Sequence, residues 1–177
     1  MRIYEYLAQM KPYIERHDWA GLEEAFRALA EKLSGPEAVE RVGSLDFVSY
    51  QAAISAGLDQ AWESASRLRI QAVYFEYDLD NDWDSAFFLC DSYLSEAAKD
   101  DDWAGRYSET VPGPRFREAS SIYNESGFDG TDLAKGSTLY LIARTVAAFG
   151  RVACVGPWNL PICIAYHDQH PIVRIRE

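Results

Sequence analysis

The sequence predicts an α+β fold in which N-terminal helices and one later helix pack on a small, mainly antiparallel sheet built from two hairpins. Two observations predict it: apolar residues recur at helical spacing over 1–69, and two strand–turn–strand patterns lie within 70–177. A chain of 177 residues has the length of one domain. We therefore expect a single domain over 1–177, with a helical part and a sheet-containing part.

The helical part contains two clear amphipathic stripes. The first consists of Ile3, Leu7, Met10 and Ile14, and the second of Leu22, Phe26, Leu29 and Leu33. Pro12 lies inside the first stripe and is expected to kink that helix or move its start. Asp18 is a candidate N-cap for the second helix. Residues 44–69 then form one long helix or two shorter ones, with Gly57 as the expected break.

The sheet-containing part begins with a β-rich run at 70–78. Large apolar side chains occupy both faces of this run, which predicts a central strand. A turn rich in Asp follows, and 86–90 completes the first hairpin. Residues 160–166 and 172–176 form the second hairpin, in which Arg174 is expected on a half-exposed edge strand.

Between the two hairpins the sequence is less regular. Residues 95–130 are polar and contain several Gly and Pro, so we expect a long excursion with little regular structure. A helix over about 132–149 follows, with apolar residues that face the core.

Composition excludes several classes of function. The formal net charge is −11 and the pI is near 4.7, which argues against binding to nucleic acid or to an anionic membrane. An odd number of cysteines in apolar surroundings, with no CxxC, predicts reduced thiols and a cytoplasmic protein. The N-terminus has no signal-peptide pattern, and no apolar run approaches the length of a membrane span.

The negative charge is concentrated in residues 71–102. That segment holds ten carboxylates and one base, Lys99, and so contributes −9 of the total charge. Aromatic residues are interleaved with the acids. A negative patch beside large rings suits a basic protein partner. The predicted partner-binding residues are Asp78, Asp80, Asp82, Trp83, Asp84, Asp100, Asp101, Asp102 and Trp103, with the two tryptophans as anchors.

Alternating carboxylates from Asp78 to Asp84 also resemble a set of calcium ligands, which leaves a calcium-stabilised structural domain as an alternative. The EF-hand pattern is not met. In the register that starts at Asp78, Trp83 stands where the loop needs Gly, and Leu89 stands where it needs Glu. We therefore predict no metal site and no cofactor.

The sequence offers few catalytic patterns. His167 and His170 lie in one turn but do not have the ligand spacing of a closed zinc site. Apolar neighbours are expected to raise the pKa of each cysteine rather than activate it. No nucleophile elbow, dinucleotide-binding motif or P-loop occurs. An enzyme of unrecognised type, using the His167–His170 turn and the acidic loop, remains the alternative.

These observations favour a non-catalytic acidic binding protein for a basic protein partner. Small acidic α+β proteins without catalytic motifs are common among bacterial toxin-immunity proteins and antitoxins. The likeness is one of type and rests on no matched motif. A toxin that attacks nucleic acid carries a basic cleft, and an acidic antagonist is complementary to it.

Overall fold

The structure is a computed structural model that describes residues 2–177. Its first part is helical. The segments are α1 (Ile3–Leu7), a 3₁₀ turn (Ala8–Met10), α2 (Lys11–Glu15), α3 (Trp19–Ser34), α4 (Pro36–Gly43) and α5 (Phe47–Ala65). Pro12 lies in the first turn of α2, where a missing N–H costs nothing, so it marks a helix start. Asp18 caps α3 as predicted, because its Oδ1 accepts a hydrogen bond from the Gly21 amide over 2.9 Å.

The α5 helix runs without a break through Gly57, so the predicted break is wrong. A Cβ atom at this position would lie 2.5 Å from a ring carbon of Phe87. The glycine therefore permits close packing of the helix on the sheet.

The sheet has five strands in the order β3–β2–β1–β4–β5. The strands are β1 (Ala72–Tyr77), β2 (Ser85–Cys90), β3 (Tyr107–Pro112), β4 (Ile162–Tyr166) and β5 (Val173–Arg176). The α+β prediction, the mainly antiparallel sheet and the central position of β1 are confirmed. The two predicted hairpins are β1–β2 and β4–β5, and they join through a parallel β1–β4 pair in which Phe75 is opposite Ile164.

The prediction of little regular structure over 95–130 is wrong. This range contains β3, which extends the sheet beyond β2, and α6 (Arg117–Ser126). Two 3₁₀ turns, Glu96–Ala98 and Asp102–Gly105, precede them. β3 is exposed along most of its length, so it lacks the apolar alternation that identifies a strand from sequence.

The last helix, α7 (Asp132–Ala153), is buried on nearly every side. It packs against α3 and α5 and reaches the sheet, where Phe149 stacks on Phe75 with ring centroids 4.8 Å apart. Helices and sheet share one buried core that includes residues from both parts of the chain. None of the described helices has the length and hydropathy needed to cross a bilayer.

The sheet face away from the helices, here called the outer face, carries a second and smaller apolar cluster. It includes Ala72, Tyr74, Cys90, Cys163, Ala165 and Ile172. Residues 91–106, here called the covering segment, lie over this face. Trp103 is 2% exposed and packs edge-on against Tyr74 and Tyr93, with centroids 6.4 and 5.0 Å away. The covering segment therefore gives the sheet its second layer and positions the acids described below.

Candidate binding surface

The acidic loop, residues 78–84, connects β1 to β2. Its backbone is closed by a hydrogen bond from the Asp78 amide to the Asp84 carbonyl, over 2.8 Å, and by a second from the Asp84 amide to the Asn81 carbonyl, over 2.9 Å. Leu79 and Trp83 turn into the protein and are 5% and 0% exposed. Apolar side chains thus tie the loop to the core at two points.

Trp83 lies in the core rather than on the surface that was predicted for it. Its Nε1 donates to Thr145 Oγ1 over 3.3 Å, and its ring lies 5.5 Å from that of Tyr77. Trp103 is also buried, beneath the covering segment. Neither ring presents a surface to a partner in this conformation, because both are used to hold the acidic segments in place.

Two of the four loop carboxylates already have cationic neighbours. Asp84 receives two hydrogen bonds from Arg115, over 3.0 and 3.2 Å, and this guanidinium lowers the pKa of the Asp84 carboxyl. Asp82 pairs with Arg117 over 3.2 Å. Both arginines come from the start of α6 and the turn before it. The loop is therefore less negative toward solvent than its sequence indicates.

The other two loop carboxylates are adjacent to each other. Asp78 is half-buried. Burial is the larger cause that raises the pKa of the Asp78 carboxyl, and the neighbouring Asp80 carboxyl is the second. Asp80 is exposed, and among the described residues no basic side chain forms an ion pair with it. Of the loop acids, Asp80 is the one best placed to meet a basic partner.

Asp101 lies inside the fold, in contrast with its two neighbours. Its Oδ1 is 2.8 Å from Arg174 Nη2, and its Oδ2 accepts a hydrogen bond from the Ile172 amide over 2.8 Å. The side chains of Asp101 and Arg174 are 11% and 6% exposed. Arg174 is therefore not the half-exposed edge charge that the alternation predicted. It ties the covering segment to β5.

Asp100 and Asp102 point outward. Both are exposed, and in the part of the chain that the structure describes neither has a basic side chain at ion-pair distance. The Asp100 side chain accepts a hydrogen bond from the Asp102 amide over 2.9 Å, which fixes the turn that presents them. No described basic side chain occupies these two carboxylates, so both are available to a partner.

The outward acids border a cleft made of two adjoining pockets. The first is an apolar pocket of about 270 Å³ between α1–α2 and the start of β5. The second is an acidic pocket of about 830 Å³ that is lined by the covering segment and the turn before β5. Glu96, His170, Pro171 and Arg174 line both pockets, so we treat them as one cleft. Lys11 from α2 pairs with Glu96 at its mouth.

A hydrogen-bonded trio on the outer face was not found from the sequence. Tyr74 Oη donates to Glu76 Oε2 over 2.7 Å, and His167 Nδ1 lies 3.1 Å from Glu76 Oε1. The hydrogen bond to Glu76 raises the pKa of His167 despite its partial burial. The feature of the sequence that could have indicated the trio is Glu76, a single acid in an otherwise apolar central strand.

This trio can orient an imidazole and stabilise its charged form. Among the polar neighbours that the described residues provide, the His167 ring meets carboxylates, Glu76 and then Asp168 at 3.8 Å. A nucleophile-activating histidine needs a hydroxyl or thiol within hydrogen-bond reach. The arrangement as it stands is an acid–imidazole pair without such a partner.

The three cysteines are free thiols in the structure. Burial raises the pKa of Cys90 to about 12 and that of Cys163 well above its ordinary value. No group of three or more His, Cys, Asp or Glu side chains within residues 2–177 has an arrangement that could hold a metal ion.

No protein-family model matches the chain, and no curated protein or solved structure is detectably similar to it. The geometry of the surface itself is therefore the basis for assigning a function.

Proposed function

We propose that this protein is a non-catalytic binding protein that captures a basic protein partner through its acidic surface. The observation that carries the proposal is the presentation of Asp100 and Asp102 at the edge of the cleft, exposed and without an ion-pair partner among the described residues. Asp80 adds a further outward carboxylate on the acidic loop. The surface comprises these three side chains and Glu96 on the rim of the cleft.

The physical basis is electrostatic steering. A surface with one sign of charge raises the rate of encounter with an oppositely charged partner, and contacts made after encounter set the rate of dissociation. Acids that are already paired inside the protein contribute less to this field. The proposal therefore assigns less weight to Asp82, Asp84 and Asp101 than the sequence did, and none of the contact area to the two buried tryptophans.

A toxin-immunity or antitoxin role in a bacterium fits this chemistry. A nuclease or other nucleic-acid-binding toxin has a cationic cleft, which an acidic surface can occupy in place of phosphates. Support for this finer proposal comes from the charge of the chain and from the outward carboxylates.

The enzyme alternative has one specific observation in its favour, the Glu76–His167 pair. The calcium alternative is weaker, because Arg115 and Arg117 already compensate two of the four loop carboxylates. If His167 has a catalytic role, the double substitution His167→Ala/His170→Ala will abolish an activity. We expect that variant to keep its metal content and its affinity for the partner.

Removal of charge without change of shape tests the proposal. The test variant is Asp80→Asn/Asp100→Asn/Asp102→Asn. The matched control is Glu40→Gln/Asp59→Asn/Glu109→Gln, which removes three exposed acids elsewhere that form no ion pair within residues 2–177. Each protein is immobilised and exposed to lysate of the native organism, and captured proteins are identified and purified. We expect a basic partner whose affinity for the test variant falls at least tenfold, a difference of about 1.4 kcal/mol, while its affinity for the control is retained.

Equal affinity of the purified partner for the wild-type protein and the test variant would show that these carboxylates are not the binding surface. Loss of affinity in the control alone would have the same meaning.

A further inference from the structure

We infer that the cleft binds an extended basic peptide segment of the partner, with one apolar side chain in the apolar pocket and basic side chains against the acidic rim. This inference rests on the proposed function and names the kind of segment that the surface recognises. Two features of the cleft carry it: an apolar pocket, and beside it an acidic rim on which Asp100 and Asp102 form no ion pair with any described residue.

The apolar pocket is of a size that suits one side chain of the partner. Leu7, Met10 and Ile14 line one wall, and Ile172 and Val173 line the other. An apolar cavity of roughly 150 Å³ is enough for a benzene-sized group, and this pocket measures about 270 Å³. A Leu, Met or Phe side chain can enter it and remove apolar surface from water on both sides.

The acidic pocket next to it supplies the charge complementarity. Glu96, Asp100 and Asp102 line it, and the Arg174 guanidinium in its wall is already paired with Asp101. Lys99 and His170 are the other basic side chains of the lining. Glu96 is already paired with Lys11, so Lys or Arg side chains on either side of the apolar residue of a bound segment would meet the unpaired carboxylates of Asp100 and Asp102.

Arg174, in the wall that the two pockets share, is held by groups of the protein itself. Its Nη1 donates to the Ile172 carbonyl and its Nη2 donates to Asp101 and the Leu94 carbonyl. The side chain is 6% exposed and lines both pockets.

A polyamine or a metal cation supplies charge but has no apolar side chain to place in the pocket. A segment of a basic protein supplies both a charge and an apolar side chain. The combination of the two features therefore favours a peptide.

Two synthetic peptides test the inference, both with blocked ends. One carries the sequence Lys-Lys-Leu-Lys-Lys within a Gly-Ser frame, and the other has Ser in place of Leu. Binding is measured by isothermal titration calorimetry at low and at high salt. We expect the Leu peptide to bind about tenfold more tightly than the Ser peptide, because burial of one Leu side chain is worth about that factor.

Substitution in the cleft supplies the matched comparison. Ala8 is exposed and lines the apolar pocket, so Ala8→Trp fills the pocket without disturbing the core. Ala52, exposed on α5, gives the control Ala52→Trp. We expect Ala8→Trp to reduce binding of the Leu peptide to the level of the Ser peptide and Ala52→Trp to change neither. Melting temperatures show that both variants are folded.

The two proposals fail in different ways. Equal affinity for the Leu and Ser peptides, weakened by salt and unaffected by Ala8→Trp, would overturn the inference about the cleft and leave the acidic surface in place. If neither peptide bound at low salt, the inference would be wrong. If Asp100→Asn/Asp102→Asn then left the affinity for the purified partner unchanged, the proposed function would fail as well.

Discussion

Arg174 and Asp101 form an ion pair inside the protein, with Nη2 and Oδ1 2.8 Å apart and both side chains about nine-tenths buried. The pair connects strand β5 to the covering segment. It accounts for an apparent contradiction in the sequence, which places an arginine in a strand beside apolar residues and an aspartate in an otherwise exposed acidic run. One residue compensates the other.

The first prediction concerns this pair. Asp101→Ala leaves a buried guanidinium without its partner, and we expect the free energy of unfolding to fall by about 3 kcal/mol. Urea denaturation followed by circular dichroism measures the change. Asp102→Ala, one residue away and exposed, is the control and should change stability by about 0.5 kcal/mol or less. Similar changes in the free energy of unfolding for Asp101→Ala and Asp102→Ala would show that the pair is not buried.

The second prediction separates a core role for Trp83 from a role in binding. Because the indole is fully buried and donates to Thr145, Trp83→Ala should lower the free energy of unfolding by roughly 3–5 kcal/mol. Asn81→Ala in the same loop is exposed and should be nearly neutral. A Trp83→Ala protein with wild-type stability and reduced affinity for the partner would show that Trp83 contacts the partner.

The acidic side chains illustrate what the sequence could and could not predict about the site. Sequence alone located the acidic segments and the strand between them, since charge density and alternation are local properties. It could not separate free carboxylates from paired ones. Asp84 meets Arg115 across 31 residues and Asp101 meets Arg174 across 73, so the pairing depends on the fold.

The same reasoning applies to the fold. The central strand was predictable because Val73, Phe75 and Tyr77 alternate with other apolar residues along one run. β3 was not, since its partner strand rather than its own side chains stabilises it. The parallel pairing of β1 with β4 was also beyond prediction, as nothing local encodes a contact between strands so far apart in sequence.

The third prediction concerns pH and the Glu76–His167 pair. The hydrogen bond to Glu76 raises the pKa of His167 from its ordinary value of 6.5. Its contribution to stability is therefore fully present below pH 6.5 and is lost as the pH rises through the folded-state pKa. His167 is 59% exposed, so solvent screening limits the effect to about 0.5 kcal/mol.

Titration by NMR measures this pKa directly. In Glu76→Gln we expect the pKa of His167 to fall toward 6.5. The stability that the Glu76–His167 pair contributes at low pH should then be absent. An unchanged His167 titration in Glu76→Gln would contradict the pairing.

The fourth prediction uses the arginines that compensate the acidic loop. Arg115→Gln/Arg117→Gln exposes the charges of Asp84 and Asp82 without removing an acid. If the loop contributes to steering, the association rate with the basic partner should rise roughly threefold at low salt. Stability should change little, because surface ion pairs contribute about 1 kcal/mol or less. Stopped-flow fluorescence gives the association rate. A slower or unchanged rate would show that the acidic loop does not contribute to the partner-binding surface.

The most direct test of the central claim is the dependence of the association rate on ionic strength, measured with the purified basic partner. Exposed charges are screened beyond about 8 Å at physiological ionic strength. For the wild-type protein we predict an association rate that falls steeply with added salt while the dissociation rate changes little. For Asp80→Asn/Asp100→Asn/Asp102→Asn we predict a lower rate with a shallower salt dependence. A wild-type association rate that does not respond to salt would contradict the acidic surface as the element that captures the partner.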